Sequence, residues 1–342
     1  MSEDKQEDDF DIALRPRALR DFIGQKTFVE NLGIYISAAK KRNEPLDHIL
    51  LSGPPGLGKT TLSNIVSKEM GVDFRGTSAP VLTKVGDLAA ILTDMKRGDV
   101  FFIDEIHRLN KNVEEVLYSA MEDFSIDIII GQGPAAKTLK VDIEPFTLVG
   151  ATTRSGLLSA PFLARFGINE KLDFYRNEEL FKIIKRAASI LKIGINEESG
   201  LFLAGCSRGT PRRANSILRR VRDFAQVKGK NTITLDIVKE ALKRLGIDNL
   251  GLNKNDKKLL EVIINDYGGG PVGCKTLAIS LGEEVDTIED VYEPYLIQIG
   301  FLQRTPRGRV ATAKAYEHLG FDIPLNFQDK EATLFSSGKG VC

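Results

Sequence analysis

Cysteine, histidine and long apolar runs are scarce in this sequence of 342 residues, and each scarcity narrows the possible functions. The three cysteines, Cys206, Cys274 and Cys342, have neither disulfide-like nor metal-site spacing, which fits a reducing cytoplasm. Only three histidines occur, so a histidine-rich metal centre is not expected. No window approaches the roughly 18 consecutive apolar residues that a membrane helix requires, so no role in a membrane is expected.

An excess of charge of one sign is also missing, because 47 basic residues balance 47 acidic residues. This excludes a uniformly basic nucleic-acid-binding coat, although local basic patches remain. Residues 208–230 hold six arginines and two lysines against one aspartate, and residues 304–314 hold three arginines and a lysine with no acid. The start of the chain is acidic and lacks the cationic region of a secretory signal. Residues 1–13 are therefore expected to form an acidic flexible tail.

The first half of the sequence alternates short apolar strands with helices. Strands are predicted at 48–51, 100–103 and 146–150, and helices at 60–70 and 112–123. Such alternation is typical of a parallel sheet covered by helices on both faces. These sheets bind their ligands beyond the carboxyl ends of the strands.

A β-hairpin is predicted between Ile126 and Ile143, where two alternating segments flank a Gly-Gln-Gly-Pro turn. The alternation places Leu139, Val141 and Ile143 on one face. Two interpretations remain open. This face either packs on its own domain or forms an exposed surface that binds a partner.

The second half of the sequence is mainly helical. Apolar residues recur at helical spacing from about residue 177, with further helices at 198–206, 211–227 and 235–245. A linker rich in asparagine and glycine follows. Three helices, at 257–266, 274–281 and 287–299, then precede a basic hairpin, which is the outline of a winged-helix module. Pro294 falls inside the third of these helices and must kink or split it.

The strongest motif is Gly-Pro-Pro-Gly-Leu-Gly-Lys-Thr-Thr at residues 53–61, between a predicted strand and a predicted helix. This is the P-loop pattern, in which successive backbone N–H groups and a helix N-terminus hold phosphates. Lys59 would reach the β- and γ-phosphates, and the Thr60 hydroxyl would bind Mg²⁺. The alternative is a glycine-rich turn that happens to contain a lysine.

An acidic pair, Asp104 and Glu105, ends the second predicted strand. Buried carboxylates are costly unless they hold a cation or its water. Asp104 is placed to bind the metal shell, and Glu105 to orient or deprotonate the attacking water. Adjacent strand residues point to opposite faces, so the pair can share a task only if the strand ends at Asp104. Two acids at a strand end are otherwise a common surface feature.

Further polar residues follow at the same sheet edge and beyond it. Thr152 and Thr153 follow the third strand and either contact the γ-phosphate or cap the next segment. Arg165 and Arg212 are candidates for stabilising the charge that phosphoryl transfer accumulates. The alternative is that either arginine is a surface ion-pair partner. Pro211 at the first helical turn would project Arg212 from a helix start.

Taken in order, these segments resemble the RuvB family, the AAA+ motors of Holliday junction branch migration in bacteria. The segments that carry the resemblance begin at Asp104, Gly150, Arg165, Gly209 and Gln303, and the last reads Gln-Arg-Thr-Pro-Arg-Gly-Arg. The resemblance covers nearly the whole chain. It implies an α/β P-loop AAA+ domain (parallel sheet flanked by helices) at 14–175, a small helical lid domain at 176–246 and a C-terminal winged-helix domain at 249–320. A flexible tail at 321–342 is expected.

The resemblance also implies roles for individual residues. Arg165 would be the finger that reaches the ATP of a neighbouring subunit, and Thr152 or Thr153 the first sensor. Arg212 would be the second sensor. Arg304 and Arg309 would contact DNA, whereas Val285 stands where some members carry a basic residue and is not counted. The residues that would line the nucleotide site are Leu14, Arg15, Gly56, Gly58, Lys59, Thr60, Thr61, Glu122, Asp123, Phe124 and Tyr175.

The function implied is that of a homohexameric ring that hydrolyses ATP with Mg²⁺ and pumps duplex DNA at Holliday junctions during recombination and repair. Its implied partners are RuvA, bound through the hairpin between Ile126 and Ile143, and RuvC. The main alternative is another AAA+ DNA-remodelling ATPase such as a clamp-loader-like protein, whose C-terminal part would be a helical collar. A protein unfoldase would need an aromatic pore loop, and a two-lobed helicase a second parallel sheet. A DNA-binding regulator without enzymatic activity would have no use for Glu105.

Overall fold

The structure is a computed structural model that describes residues 13–130 and 137–324. The chain divides into two compact units, with the boundary between Leu235 and Asp236. The predicted tails at 1–13 and 321–342 lie almost wholly outside the described residues, as does the turn of the predicted hairpin.

The first unit is built on a parallel sheet of five strands in the order β2-β3-β6-β1-β7. Every residue of β1 and β6 is buried, because these central strands are flanked on both sides. Ser52 of β1 pairs with Thr152 of β6, so the two strands end at the same edge. The strands are β1 (Ile49–Ser52), β2 (Phe74–Ser78), β3 (Val100–Asp104), β6 (Thr147–Thr152) and β7 (Ile168–Lys171).

Helices cover this sheet, and a separate antiparallel hairpin, β4 (Ser125–Ile130) and β5 (Lys137–Asp142), extends from it. The glycine at the start of the second helix, Gly58, has φ 102°, which glycine adopts readily. The helices are α1 (Lys26–Arg42), α2 (Lys59–Met70), α3 (Val85–Thr93), α4 (Lys111–Glu122) and α5 (Ala160–Leu163).

A smaller group of helices completes the first unit. It contains α6 (Asn177–Ile190), α7 (Glu197–Gly205) and α8 (Pro211–Val227), with β8 (Gly194–Ile195) paired to β9 (Thr232–Ile233). In α8, the buried residues Ala214, Ile217, Leu218, Val221 and Ala225 form one stripe, and Pro211 stands at the helix start. This agrees with the apolar periodicity of the sequence.

The second unit has the predicted winged-helix outline. Its elements are α9 (Leu235–Arg244), α10 (Lys254–Asn265), α11 (Cys274–Leu281), α12 (Val285–Thr287), a π-helix (Ile288–Tyr292), α13 (Glu293–Gln298), β10 (Leu302–Thr305), β11 (Gly308–Ala311) and α14 (Ala313–Leu319). Leu260, Ile263, Leu277, Leu296 and Leu302 meet in its core. Pro294 lies in the first turn of α13, directly after the π-helix, so the predicted third helix is indeed split. The predicted fold class is therefore confirmed.

Within the described ranges, no helix combines the length and the apolar character that crossing a bilayer demands.

Candidate functional site

A cavity of about 410 Å³ opens at the carboxyl edge of the sheet in the first unit. This volume lies in the range of small-molecule sites. The P-loop, the acidic pair, the segment before α1 and two helices, α6 and α8, contribute to its walls. The lining residues are Leu14, Arg15, Pro16, Asp21, Phe22, Ile23, Pro55, Gly56, Leu57, Gly58, Lys59, Thr60, Thr61, Asp104, Glu105, Tyr175, Ile183, Arg186, Pro211, Arg212 and Asn215.

The P-loop presents a buried ammonium to this cavity. Lys59 is only 7% exposed, and its Nζ donates hydrogen bonds to the carbonyl oxygens of Gly53 at 2.7 Å and Pro54 at 3.0 Å. Burial lowers the pKa of Lys59, and the charges of Asp104 and Glu105 oppose that shift. A cation held by its own loop at the start of a helix is an arrangement that attracts phosphate.

The acidic pair lies at a real strand end. β3 ends at Asp104, and Glu105 adopts a left-handed conformation with φ 49°, which is uncommon for a residue other than glycine. The turn brings both carboxylates to the cavity, so the condition that the sequence set for a shared task is met. The Oε2 of Glu105 accepts a hydrogen bond from Thr153 at 3.2 Å and lies 3.3 Å from the Nδ1 of His107.

The two threonines at the end of β6 contact the acidic pair or its neighbour His107, and neither of them lines the cavity. Thr152 is fully buried, and its Oγ1 lies 2.9 Å from the Nδ1 of His107 and accepts a hydrogen bond from the backbone of Arg154 at 3.0 Å. Thr153 contacts Glu105 directly. His107 links Thr152 to Glu105. The sequence did not predict this role for the histidine.

A divalent cation fits this edge of the sheet. Among the described residues, no group of three or more histidine, cysteine, aspartate or glutamate side chains could hold a metal by itself. Mg²⁺ is commonly bound through one or two protein oxygens together with waters and substrate phosphates. The Thr60 hydroxyl and the Asp104 carboxylate both line the cavity and are the oxygen ligands that such an ion would use.

Helix α8 closes the cavity over the P-loop. Arg212 is the second residue of the helix, and its backbone N–H donates to the carbonyl of Gly56 at 3.4 Å. A Cβ added to Gly56, which has φ 82°, would lie 3.1 Å from the Cβ of Arg212. The close approach places the Arg212 side chain among the cavity-lining groups, as the sequence predicted.

Part of the cavity lining is apolar. Leu14, Ile23 and Ile183 contribute to it, and Arg186 also lines the cavity. The Nη2 of Arg186 donates a hydrogen bond to the carbonyl of Leu14. Tyr175 donates from its hydroxyl to Leu57 at 3.1 Å, and burial raises the pKa of this hydroxyl. Ile23, Ile183 and Arg186 were not predicted as lining residues, although the helix that carries Ile183 and Arg186 was visible in the sequence.

Glu122, Asp123 and Phe124 were predicted to line the nucleotide site, but they do not line this cavity. They lie at the end of α4, with Glu122 as its last residue, near the edge of the sheet at which the strands begin. Phe124 packs against Phe146, which immediately precedes β6, with ring centres 6.3 Å apart. Any contact between these three residues and nucleotide would therefore involve a cavity on a neighbouring chain.

Arg165 lies at that same amino-terminal edge, three residues before β7. Its Nη2 is 2.9 Å from the carboxylate of Glu122, and its Nη1 donates to the carbonyl of Pro161 at 2.6 Å. Its guanidinium carbon stands 4.4 Å from the ring centre of Tyr118, which is cation–π distance. The side chain is 20% exposed, is held by these contacts and does not line the cavity of its own chain.

The predicted hairpin is present, and its apolar side chains differ in exposure along its length. Ile126 and Ile143 are buried in the core at its base, whereas Leu139 is 49% exposed. The base therefore packs on its own domain, and an apolar side chain further along the arm remains available for another surface.

In the winged helix, the structure separates the two predicted DNA-contacting arginines. Arg304 is 61% exposed and lies 3.5 Å from Glu289. Arg309 stands opposite it across the hairpin, but its side chain is only 9% exposed. Its Nε is 2.5 Å from Glu293, and its Nη2 is 2.8 Å from Glu289. In this structure two carboxylates pair with the guanidinium of Arg309, and a direct DNA contact by Arg304 and Arg309 stays a prediction.

Replacing Arg309 with alanine should destabilise the winged helix by about 3 kcal/mol, because Glu293 is 2% exposed and would be left as a buried charge without its partner. Thermal unfolding of the full chain measures this loss. Arg42→Ala removes an exposed arginine whose ion pair with Glu44 is solvated, and it should change stability by well under 1 kcal/mol. Equal effects of the two substitutions would contradict the structural role of Arg309.

Three family models together cover the described chain. Residues 14–172 match the Holliday junction DNA helicase RuvB P-loop domain, residues 175–248 the RuvB AAA lid domain, and residues 249–320 the RuvB C-terminal winged helix domain. The chain is 58% identical over 322 residues to the Holliday junction branch migration complex subunit RuvB of Treponema denticola, covering 94% of each chain.

Solved structures are similar as well. The RuvB Holliday junction branch migration motor of Thermotoga maritima is 54% identical, with a TM-score of 0.85 over 91% of this chain and all of that one. A mutant of the same Thermotoga maritima protein is 55% identical, with a TM-score of 0.86 over 91% of this chain and 99% of that one.

Proposed function

Because this chain belongs to the RuvB family, we propose that it is an ATP-driven motor that pumps duplex DNA to move Holliday junctions. The observation that carries the proposal is the cavity in which the P-loop, the acidic pair and Arg212 converge. A winged helix with an exposed basic hairpin on the same chain gives the motor a surface for DNA. We place its work in recombination and repair, in the cytoplasm.

ATP would lie with its phosphates on the P-loop and its base between Leu14, Arg15 and Tyr175. Lys59 would release its loop carbonyls and pair with the β- and γ-phosphates. Bound through Thr60 and Asp104, Mg²⁺ would neutralise the charge that develops on the phosphates. Glu105 would orient the attacking water, with Thr153 fixing its carboxylate and leaving one oxygen for the water.

Hydrolysis would need a second subunit. Arg165 is too far from its own cavity to serve it, since the two lie at opposite edges of one sheet. From a neighbouring chain it would reach the γ-phosphate, and Glu122, Asp123 and Phe124 would stand at the same interface. We propose that six chains form the ring, with ATP at each junction between subunits.

Loss of the γ-phosphate would be sensed by Arg212, which connects the P-loop to α8. Movement of this helix would be passed on to the winged helix and its DNA. The hairpin between Ile126 and Ile143, with Leu139 exposed, is proposed to bind RuvA, and RuvC is proposed to act on the same junction. We also propose that the chain has three domains: the ATPase domain at 14–175, the helical lid at 176–246 and the winged helix at 249–320.

Electron microscopy of the protein with ATP and linear duplex tests the assembly. We expect rings threaded by DNA. A collar-shaped complex without a threaded duplex would favour the clamp-loader-like alternative. In parallel, a synthetic four-way junction labelled on one arm reports branch migration. We expect Lys59→Met to lose branch migration and the control Arg42→Ala to keep it. Branch migration in the absence of ATP would contradict the proposed motor.

Arg304→Ala should weaken binding about equally on unrelated duplexes and lower the salt dependence by about one ion, because this exposed guanidinium contacts phosphate rather than bases. Fluorescence anisotropy at several salt concentrations measures both quantities. Arg42→Ala, which removes an exposed arginine from the first unit, is the matched control. Losses that differ between duplex sequences would contradict a phosphate contact.

A further inference from the structure

We propose that Asn215 recognises the base of the nucleotide by accepting a hydrogen bond from the exocyclic N6 amino group of adenine. This inference rests on the proposed function, because it assigns the base specificity of the same cavity. It adds a polar contact where the proposed function places the base, beside Leu14, Arg15 and Tyr175.

The position of Asn215 follows from the geometry of α8. Residues three apart lie on the same face of a helix, so Asn215 shares the face of Arg212, and both line the cavity. Arg212 contacts the P-loop at Gly56, which defines the phosphate end. Asn215 stands about 4.5 Å further along the helix axis. This offset from the phosphate end is where the inference places the base.

The carboxamide oxygen of Asn215 lacks a partner. Among the residues that the structure describes, its Oδ1 is shielded from solvent and accepts no hydrogen bond. An unsatisfied buried acceptor costs about 1–3 kcal/mol, so a site that keeps one is suited to a ligand that donates. The terminal torsion of asparagine is soft, and turning this oxygen toward the cavity breaks no hydrogen bond that it now makes.

The neighbouring side chains in the cavity are less suited than Asn215 to accept a hydrogen bond from the amino group. Leu14, Ile23 and Ile183 offer apolar surface for the faces of a purine ring. Arg186 carries only donors, and a donor cannot pair with an amino group. Asp21 also lines the cavity and could accept, but it is exposed at the rim, where its charge acts on Arg186.

Adenine matches a carboxamide on two adjacent atoms. Its N6 amino group donates to Oδ1 while a neighbouring ring nitrogen accepts from Nδ2, the bidentate pairing by which asparagine recognises adenine in DNA. A purine without the amino group leaves Oδ1 unsatisfied, and sites built around such a hydrogen bond discriminate against ligands that lack it.

The test compares ATP with purine riboside triphosphate, which lacks only the N6 amino group. Binding of each to the full chain with Mg²⁺ is measured by displacement of a fluorescent ATP analogue. The native chain should bind ATP about tenfold more tightly than the analogue. Asn215→Ala should lose about tenfold more affinity for ATP than for the analogue, which keeps only the contact of its ring nitrogen with Nδ2, so that the ratio falls to about one.

Two further variants exclude general damage. Asn215→Asp keeps an acceptor oxygen and should retain a preference for ATP over the analogue. Ser216→Ala, at the exposed neighbouring position on α8, should leave both affinities unchanged. Circular dichroism identifies any variant that fails to fold.

Equal binding of ATP and the analogue by the native chain would overturn the inference without reference to any variant. An unchanged tenfold preference in Asn215→Ala would overturn it as well, although ATP binding itself would stand. A native chain that binds neither triphosphate would instead overturn the proposed function.

Discussion

Replacing Arg165 with alanine should leave ATP binding intact and lower the rate of ATP hydrolysis about 10³-fold. The magnitude is that of arginine fingers, which stabilise the charge on the transferred phosphoryl group. Binding should persist because Arg165 does not line the cavity of its own chain. Fluorescent nucleotide binding and phosphate release under saturating ATP measure the two quantities separately.

The decisive control is a mixture of two inactive proteins. Lys59→Ala cannot bind ATP productively but keeps Arg165, whereas Arg165→Ala keeps a complete cavity. Mixed assemblies should regain part of the activity, because in the proposed ring the arginine of one chain serves the cavity of the next. Arg165→Lys should remain weak, since an ammonium lacks the planar fork of a guanidinium. Failure to regain activity at every mixing ratio would show that Arg165 does not act between chains.

Glu105→Gln should lower hydrolysis by about 10²–10⁴-fold while ATP affinity is retained. Glutamine has nearly the same shape and can still accept from Thr153, so the structure around it should persist. What it loses is the charge and basicity that orient and deprotonate water. Single-turnover hydrolysis of prebound ATP measures the chemical step without contributions from product release.

A matched substitution separates this effect from a change in net charge. Glu115 lies on the exposed side of α4, outside the cavity, and Glu115→Gln removes the same charge. It should leave turnover unchanged. Full turnover in Glu105→Gln would exclude this carboxylate as the group that activates water and would leave Asp104 as the candidate.

The sequence predicted the central part of the sheet well, for a physical reason. Strands β1, β3 and β6 are buried on both faces and must be continuously apolar, so each stands out as a short run. The edge strands β2 and β7 were missed. Their sequences, Phe-Arg-Gly-Thr-Ser and Ile-Asn-Glu-Lys, have one apolar residue each, because an edge strand is only partly covered.

The site was predictable where one local motif supplies several groups and less so where distant segments meet. The P-loop and acidic pair lie on single strand ends, and the structure places them together. The burial of Arg309 depends on Glu289 and Glu293, which lie 20 and 16 residues earlier in the chain. No local pattern distinguishes this arginine from the exposed Arg304. Asn215 could likewise not be predicted as a site residue, because it reaches the cavity only through the packing of α8 over the P-loop.

The placement of Arg165 and of the nucleotide cavity at opposite edges of one sheet has a consequence for association. A two-fold dimer repeats the same patch on both partners, whereas contacts between unlike edges are head-to-tail and propagate in one direction. In the proposed assembly, an open arc of subunits ends with one cavity that receives no arginine from a neighbour. Only closure of the circle supplies every cavity, so the last subunit to join should complete two catalytic centres at once.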